Sequence, residues 1–316
     1  MNVIAITGAN SFIGTHLLDL LSNRDDMQIK IMIHKNFNST IPSRRNISIM
    51  RGDLLRQESL NGFLEQGCTV VNLAYLWEQT KQENLKAMAN LVEACKKANI
   101  RRLIHCSTAV VVGRVSTNTV NENTICNPIN KYEITKLELE KLLLKKTRNN
   151  FETVILRPTA VFGPGGENLL KLANDLRKKN RIINYLKSCL LNARKMNLVY
   201  VDNVVSAIEF LINTDSKIDR EVFIISDDEY SCNNYRFIEN YLVRNLGYKE
   251  YPIPIIPLPF TILKVLLKLS GKSNLNPASV YDCQKLINTG FKKPALFEDG
   301  LSNFVCWYKN TVHSNT

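Results

Sequence analysis

The sequence predicts an α/β protein built on a doubly wound parallel sheet. Three observations carry this expectation: short β-branched runs recur along the first two-thirds of the chain, segments of helical period separate them, and a glycine-rich turn follows the first run. Strands are expected at Val3 to Thr7, Ile29 to Ile33, Ile47 to Met50, Thr69 to Leu73, Leu103 to Ser107 and Thr153 to Leu156. Between the fourth and fifth of these, Leu85, Met88, Ala89, Val92 and Cys95 recur at spacings of mostly three and four residues, which lays one apolar helix face on the sheet. After Pro164 the regularity weakens into a basic polar stretch, Arg177 to Lys195, followed by a strand at Leu198 to Val201, a helix from Asp202 and a strand at Val222 to Ile225. A smaller C-terminal domain, interleaved with the first, accounts for the change of pattern. Further on, Pro252, Pro254, Pro257 and Pro259 lead into Phe260, Leu263, Leu266 and Leu267, with Lys264 and Lys268 on another helix face. A membrane-surface helix would show this pattern, but an amphipathic helix closing the second domain explains it without lipid and is the expectation.

The chain has 316 residues, 45% hydrophobic and 22% charged, enough for one large domain or two small ones with a buried core. Disorder, collagen and small disulfide scaffolds are excluded. Lys and Arg number 41 against 29 Asp and Glu, a balance of +12, which raises the question of nucleic acid or an anionic membrane. The basic pairs Lys96-Lys97, Arg101-Arg102, Lys145-Lys146 and Lys292-Lys293, with Arg177-Lys178-Lys179, lie on separate segments without aromatic interleaving. They are therefore expected on solvated helix faces, attracting a phosphorylated small molecule and not nucleic acid. The eight cysteines form no C-x-x-C pair and have no histidine at ligand spacing, so reduced thiols and no metal site are expected. Met1 runs straight into an apolar strand, unlike a signal peptide, and the most apolar stretch, Ile253 to Leu263, is short and broken by prolines. A cytoplasmic protein without stable membrane insertion is expected.

Thr7-Gly8-Ala9-Asn10-Ser11-Phe12-Ile13-Gly14 stands between the first strand and a helix. Glycines there let backbone N–H groups approach a pyrophosphate, and the helix N-terminus favours the anion. A dinucleotide is expected, with Asp53 at the end of the third strand meeting the adenine edge. The end of the second strand chooses the dinucleotide: an acid there holds the ribose 2′-OH, and a base accommodates a 2′-phosphate. His34 and Lys35 stand there, so NADP is expected over NAD.

In Tyr132-Glu133-Ile134-Thr135-Lys136, four-residue spacing puts Tyr132 and Lys136 on one helix face. A nearby ammonium favours the phenolate and is expected to lower the Tyr132 pKa, which makes it an acid/base candidate. Thr108 supplies a hydroxyl at the end of the fifth strand, at the sheet edge where such folds bind ligands.

These residues resemble an extended short-chain dehydrogenase/reductase of the NAD(P)-dependent epimerase/dehydratase family, on a Rossmann-type sheet. The resemblance runs through the glycine turn, Arg51-Gly52-Asp53-Leu54, Asn84 with Asn90-Leu91-Val92-Glu93-Ala94, Ser107-Thr108 before Gly113, and Tyr132 with Lys136. It continues in Leu156-Arg157-Pro158 through Gly163-Pro164-Gly165 and in Leu198-Val199-Tyr200-Val201-Asp202-Asn203. It implies that Tyr132 is the general acid/base, that Lys136 tunes it and holds the nicotinamide ribose, and that Thr108 bonds the reacting oxygen. The cofactor is implied to contact Gly8, Asn10, Ser11, Phe12, Ile13, Gly14, His34, Lys35, Asp53, Leu54, Leu73, Ala74, Tyr132, Lys136 and Pro158. Residues 1–165, with 198–226 returning to them, would form the dinucleotide-binding domain, and 166–197 with 227–316 the substrate domain. A homodimer is implied.

Departures from the family pattern bear on the substrate. Ser11 replaces the middle glycine, Val112 and Phe162 replace tyrosines, and Ala160 stands where many sugar-nucleotide epimerases carry an asparagine. Ala109 and Val110 follow Thr108 where 4,6-dehydratases carry an acid pair, so hydride transfer without dehydration is expected. The helix at Asn168 to Lys179 and the Leu198 to Asn203 strand resemble a UDP-glucose 4-epimerase-like branch that includes nucleotide-sugar 4-keto reductases of surface-polysaccharide pathways. Arg181, Lys187, Arg194 and Lys195 precede that strand, and Arg194 and Lys195 are expected to hold a substrate diphosphate; a solvated loop is the plain alternative. Arg157 has its own plain alternative, a structural ion pair. Hydride transfer at C4 of a nucleotide-sugar hexose is thus the expected reaction. The competing readings are a reductase of hydrophobic carbonyl compounds, of the 3β-hydroxysteroid dehydrogenase or dihydroflavonol reductase kind, and a non-catalytic dinucleotide-binding protein.

Overall fold

A computed structural model describes residues 2–34, 44–178, 180–269 and 275–313, so Lys35 lies outside the described residues. Residues 2–98 form β1 (Asn2–Thr7), α1 (Phe12–Leu21), β2 (Met27–Ile33), β3 (Ile47–Arg51), β4 (Thr69–Asn72) and α2 (Lys81–Ala98). Next come β5 (Arg102–Cys106), β6 (Thr119–Val120), α3 (Lys131–Lys146), β7 (Glu152–Pro158), β8 (Ala160–Phe162), α4 (Glu167–Lys178) and α5 (Arg181–Leu191). The remainder is β9 (Leu198–Tyr200), α6 (Val201–Asn213), β10 (Val222–Ile225), α7 (Tyr235–Asn245), α8 (Phe260–Leu269), β11 (Val280–Tyr281), α9 (Gln284–Ile287) and α10 (Phe297–His313).

Seven strands form one parallel sheet in the order β10-β7-β5-β4-β1-β2-β3. The six expected strands and Val222 to Ile225 all lie in it. Strand order reverses at β1, which pairs with both β2 and β4, and a crevice for ligands opens at the carboxyl ends of β1 and β4. Alternation along each strand divides the core in two. Ile4, Ile6, Ile29, Ile31 and Ile104 pack with α1 and α6 on one face. Ala5, Val70, Leu103 and Ile155 meet Met88, Leu91 and Val92 of α2 and Leu139 and Leu143 of α3 on the other. Each fully buried aliphatic chain contributes about 1.5–3 kcal/mol.

Two segments differ from the sequence expectation. The basic stretch Arg177 to Lys195 contains the helix α5, begun by Asn180, whose side-chain oxygen accepts from the Ile182 N–H at 2.8 Å. Its aliphatic residues Ile182, Ile183 and Leu186 face outward while Asn184 and Ser188 are buried, so the sequence carries no ordinary apolar inner face there. The C-terminal α10 also goes unforeseen: Phe297, Leu301, Phe304 and Tyr308 are buried in the same cluster as Leu17 and Ile208. Helix capping follows local chemistry elsewhere. Thr80 and Glu83 form a reciprocal capping box at α2, and Asn130 accepts from the Glu133 N–H at 2.9 Å at the start of α3.

Directly after β10, two buried carboxyls tie the smaller elements to the sheet. Asp227 accepts from the Tyr200 N–H at 2.8 Å and pairs with Lys293 at 2.9 Å. Asp228 accepts from the Asn197 amide at 2.7 Å, the Asn233 amide at 2.9 Å and the Tyr281 N–H at 2.7 Å. Burial nevertheless outweighs these donors and pushes Asp228 up from 3.8 to about 6. The folded protein therefore holds this proton more tightly than the unfolded chain does. That stabilisation is complete below pH 3.8 and is lost as the pH rises through about 6. Urea unfolding of the wild type and Asp228→Asn across this range should show the stability difference moving against the wild type by on the order of 2 kcal/mol. A pH-independent difference would refute the assignment.

Candidate functional site

The turn between β1 and α1 is tight for steric reasons. Gly8 has φ +73°, and a Cβ there would stand 2.6 Å from the Ala74 nitrogen and 2.7 Å from the Leu73 carbonyl carbon. A Cβ on Gly14 would stand 2.5 Å from the Gly8 oxygen, so the helix start lies directly on the strand end. The Ser11 N–H donates to the Gly8 oxygen at 2.9 Å, and the Ser11 hydroxyl caps α1 by accepting from the Gly14 N–H at 3.1 Å. Ser11 thus substitutes for the usual middle glycine as an N-cap. Phe12 turns away from the turn, edge-on to His16 at 5.2 Å, and Ile13 packs against the core beside α1. Asn10 lies within the turn. The N-terminus of α1 lies directly after the carboxyl end of β1.

At the adenosine end, His34 follows β2 and its Nε2 stands 3.6 Å from an Asp53 carboxylate oxygen. The sequence shows no acid at the end of the second strand; the third strand brings one there. Asp53 also accepts from the Leu55 N–H at 2.9 Å, with the Arg56 Nε at 4.0 Å, and the Leu54 carbonyl accepts from the Asn90 amide at 2.8 Å. Leu73 and Ala74 pass alongside Gly8, and Pro158 closes β7 on the other side of β5.

At the chemical end, Thr108 follows β5 and caps a short turn of helix, Ala109–Val112. Tyr132 and Lys136 occupy the first turns of α3, one turn apart, with Lys136 buried. The Lys136 ammonium donates to the Cys106 carbonyl at 3.0 Å and stands 5.3 Å over the Tyr75 ring. The Tyr132 phenol is pushed above its ordinary value, first by burial and then by the neighbouring Cys106 and Tyr75, while the hydrogen bond from Thr108 pulls it down. The expected lowering by Lys136 is absent, because that ammonium is directed to the strand end.

Aromatic residues that the sequence reading passed over complete this wall. Tyr132 meets Tyr75 edge-on at 5.1 Å and stacks on Trp77 at 5.0 Å, although Trp77 is 72% exposed. Asn84 holds their loop by accepting from the Leu76 N–H and donating to the Leu76 carbonyl, each at 3.0 Å. The Tyr75-Leu76-Trp77 run directly after a strand was the available signal. Below it, Asn72 accepts from the Thr7 hydroxyl at 2.6 Å and donates to His105 Nδ1 at 3.2 Å, joining the ends of β1, β4 and β5.

Two observations bear on a bound dinucleotide. Gly8 and Gly14 leave no room for a Cβ against the Ala74 and Gly8 backbone, so the turn carries no side chain there, and the buried hydroxyls of Ser107 and Thr159, at the ends of β5 and β7, have no hydrogen-bond partner among the described residues. The residues present fit such a group. Arg194 and Lys195 lie apart, between α5 and β9, where the Lys195 N–H donates to the Pro277 carbonyl at 2.8 Å and its charge faces Asp228. Arg194 is desolvated, which lowers its pKa, and no hydrogen bond or ion pair to its guanidinium is seen among the described residues. Arg157 makes the plain ion pair, to Glu140. The eight cysteines are free thiols. Among the described residues no cluster of three or more His, Cys, Asp or Glu side chains is placed to hold a metal, and no helix is long and apolar enough to cross a membrane.

A family model described as the NAD dependent epimerase/dehydratase family matches residues 4–226. The chain is 26% identical over 240 residues to mouse sterol-4-alpha-carboxylate 3-dehydrogenase, decarboxylating, covering 71% of this chain and 64% of that protein. It therefore spans less than two-thirds of that relative's length. It is 25% identical over 317 residues to UDP-glucose 4-epimerase of Vibrio cholerae, covering 94% of this chain and 92% of that one. Its fold matches the crystal structure of the Bordetella bronchiseptica enzyme WbmG in complex with NAD and UDP, with a TM-score of 0.75 and 17% identity over 98% of this chain and 96% of that one.

Proposed function

Because the chain belongs to the NAD-dependent epimerase/dehydratase family, matched over residues 4–226, we propose that it transfers hydride at C4 of a nucleotide-linked hexose, as a 4-keto reductase or 4-epimerase. The observation that carries this reading is Thr108 at the end of β5 beside Tyr132 and the buried Lys136, which stand one turn apart on α3, with the Lys136 ammonium donating to the Cys106 carbonyl at 3.0 Å. The near full-length likeness to a UDP-glucose 4-epimerase supports the sugar.

In this reading Gly8, Asn10, Ser11, Phe12, Ile13 and Gly14 hold the pyrophosphate, and His34, Lys35, Asp53 and Leu54 hold the adenosine end. Leu73, Ala74 and Pro158 flank the path to the chemical end. His34 and Lys35, with Arg56 near, favour a 2′-phosphate and so NADP, while Asp53 opposes it. The nicotinamide, when bound, supplies or takes the hydride. Tyr132, a neutral phenol because burial raises its pKa, keeps its proton on Oη for delivery to a carbonyl oxygen. Such an acid suits the reductive direction. Thr108 orients that oxygen, and Lys136 lies where it can hold ribose hydroxyls. Ala109 and Val110 offer no second acid or base for dehydration. The desolvated Arg194, with Lys195, binds the substrate diphosphate. Residues 1–165 and 198–226 carry the dinucleotide, and 166–197 with 227–316 close over the sugar.

A second reading, reduction of a hydrophobic carbonyl compound, draws on a cavity of about 480 Å³ between Val115 and α8, lined by Val265 and Leu275 but also by Arg114, Lys264 and Lys268. The discriminating experiment identifies by mass the small molecules retained on purification and assays both substrate classes. Capture or turnover of a UDP- or dTDP-hexose is expected, with exchangeable NADPH for a reductase or non-exchanging NAD for an epimerase. Turnover of a steroid-like ketone with no response to any nucleotide sugar would overturn the C4 reading.

A further inference from the structure

The excess positive charge is not spread evenly along the chain. Residues 176–201 and 251–281 contain ten lysines and arginines and no aspartate or glutamate, leaving a balance of only +2 for the rest of the chain. These two acid-free runs are also neighbours in space. The Tyr185 hydroxyl donates to the Pro254 carbonyl at 3.0 Å, and the Leu258 N–H donates to the Cys189 carbonyl at 2.9 Å. The Arg181 guanidinium donates to the Glu250 carbonyl just before the second run.

The same two runs hold ten of the fifteen large hydrophobic side chains exposed among the described residues. On α5 these are Ile182, Ile183 and Leu186, and three more come from residues 253–258. Helix α8 buries Leu263 and Leu267 against the protein and exposes Ile262, Val265, Leu266 and Leu269 at the spacing of a second helical stripe, Leu269 at 79%. Lys264 and Lys268 stand one turn apart, exposed beside that stripe. Isolated apolar residues on a surface are ordinary, but a contiguous set under a basic rim marks an interaction site.

We propose that the α5/α8 face docks this protein on an anionic lipid membrane, with the aliphatic side chains entering the headgroup boundary and the exposed Arg181, Lys264 and Lys268 meeting lipid phosphates. Charge complementarity selects this occupant. A second copy of the chain would press the exposed Lys264 and Lys268 of α8 against like charges, which repel. Nucleic acid would meet aliphatic side chains where stacking needs aromatic ones, and none of the ten exposed residues is aromatic. The attachment is peripheral: α8 is ten residues long, too short to span a bilayer.

The test is co-sedimentation of the full chain with vesicles of phosphatidylcholine alone or mixed with phosphatidylglycerol. Binding to the mixed vesicles, and far less to the neutral ones, is expected. Lys264→Glu combined with Lys268→Glu should weaken binding by roughly 30-fold or more, since each cation near an anionic surface contributes roughly a fivefold factor. Leu266→Gln combined with Leu269→Gln should weaken it by roughly tenfold while keeping the preference for anionic lipid. Thermal melting of both variants close to the wild type shows that the fold is kept. The proposal is overturned by failure to bind mixed vesicles at low salt, or by binding that ignores the leucine variant. It is equally overturned by a dimer that the leucine variant dissociates, or by a DNA oligonucleotide that binds this face and displaces the vesicles.

Discussion

Tyr132→Phe should lower kcat by about a thousandfold or more, the size expected when a positioned general acid is lost, and leave cofactor affinity within a few-fold of the wild type. The substitution removes one oxygen and keeps the ring, so the stack on Trp77 at 5.0 Å and the edge contact with Tyr75 at 5.1 Å persist. The glycine turn is on a different strand end and is untouched. Steady-state turnover of a nucleotide sugar, paired with a fluorescence titration of the dinucleotide, separates the two effects. Near-normal turnover would remove Tyr132 from the chemistry. A parallel loss of cofactor binding would make its role structural.

The second large effect concerns stability. Arg157 at the end of β7 and Glu140 on α3 are both buried, and the guanidinium engages the carboxylate through Nε at 3.0 Å and a terminal nitrogen at 2.6 Å. Arg157→Met leaves Glu140 buried without its counter-charge and should cost about 3–5 kcal/mol, read as a shift of the urea unfolding midpoint at neutral pH. The double variant Arg157→Met with Glu140→Met removes both charges and should recover much of that loss, because the penalty lies in the unpaired ion. A single substitution that costs less than about 1 kcal/mol would mean that water or a neighbour such as Cys126 satisfies Glu140.

Much of the fold was legible because its signals are local. β-branched runs at Val3, Ile29, Ile47, Thr69, Leu103 and Thr153 each sit in a strand of the sheet, and the apolar period of Leu85 to Cys95 is the inner face of α2. Gly8 and Gly14 could be read from position alone, since a turn pressed onto Ala74 and onto its own first residue admits no side chain. Helices α5 and α10 are not legible in the sequence, because α5 buries Asn184, Ser188 and Cys189 while exposing Ile182, Ile183 and Leu186, and the inner face of α10 is covered only by elements distant along the chain. The Tyr132 pKa was misjudged for a related reason. Spacing puts Lys136 on the same helix face, but the Cys106 carbonyl, thirty residues earlier, takes its ammonium.

By itself the sequence determined the strand and helix periods, the glycine-rich turn after β1, the four-residue spacing of Tyr132 and Lys136, and a net charge of +12. These depend on the identity and spacing of residues near one another along the chain. The tertiary structure decided where charged and apolar groups meet: Asp53 against His34, Arg157 against Glu140, and the exposed aliphatic residues of α5 and α8. Electrostatic and hydrophobic effects depend on distance and burial, and these are set when segments far apart in sequence are packed together.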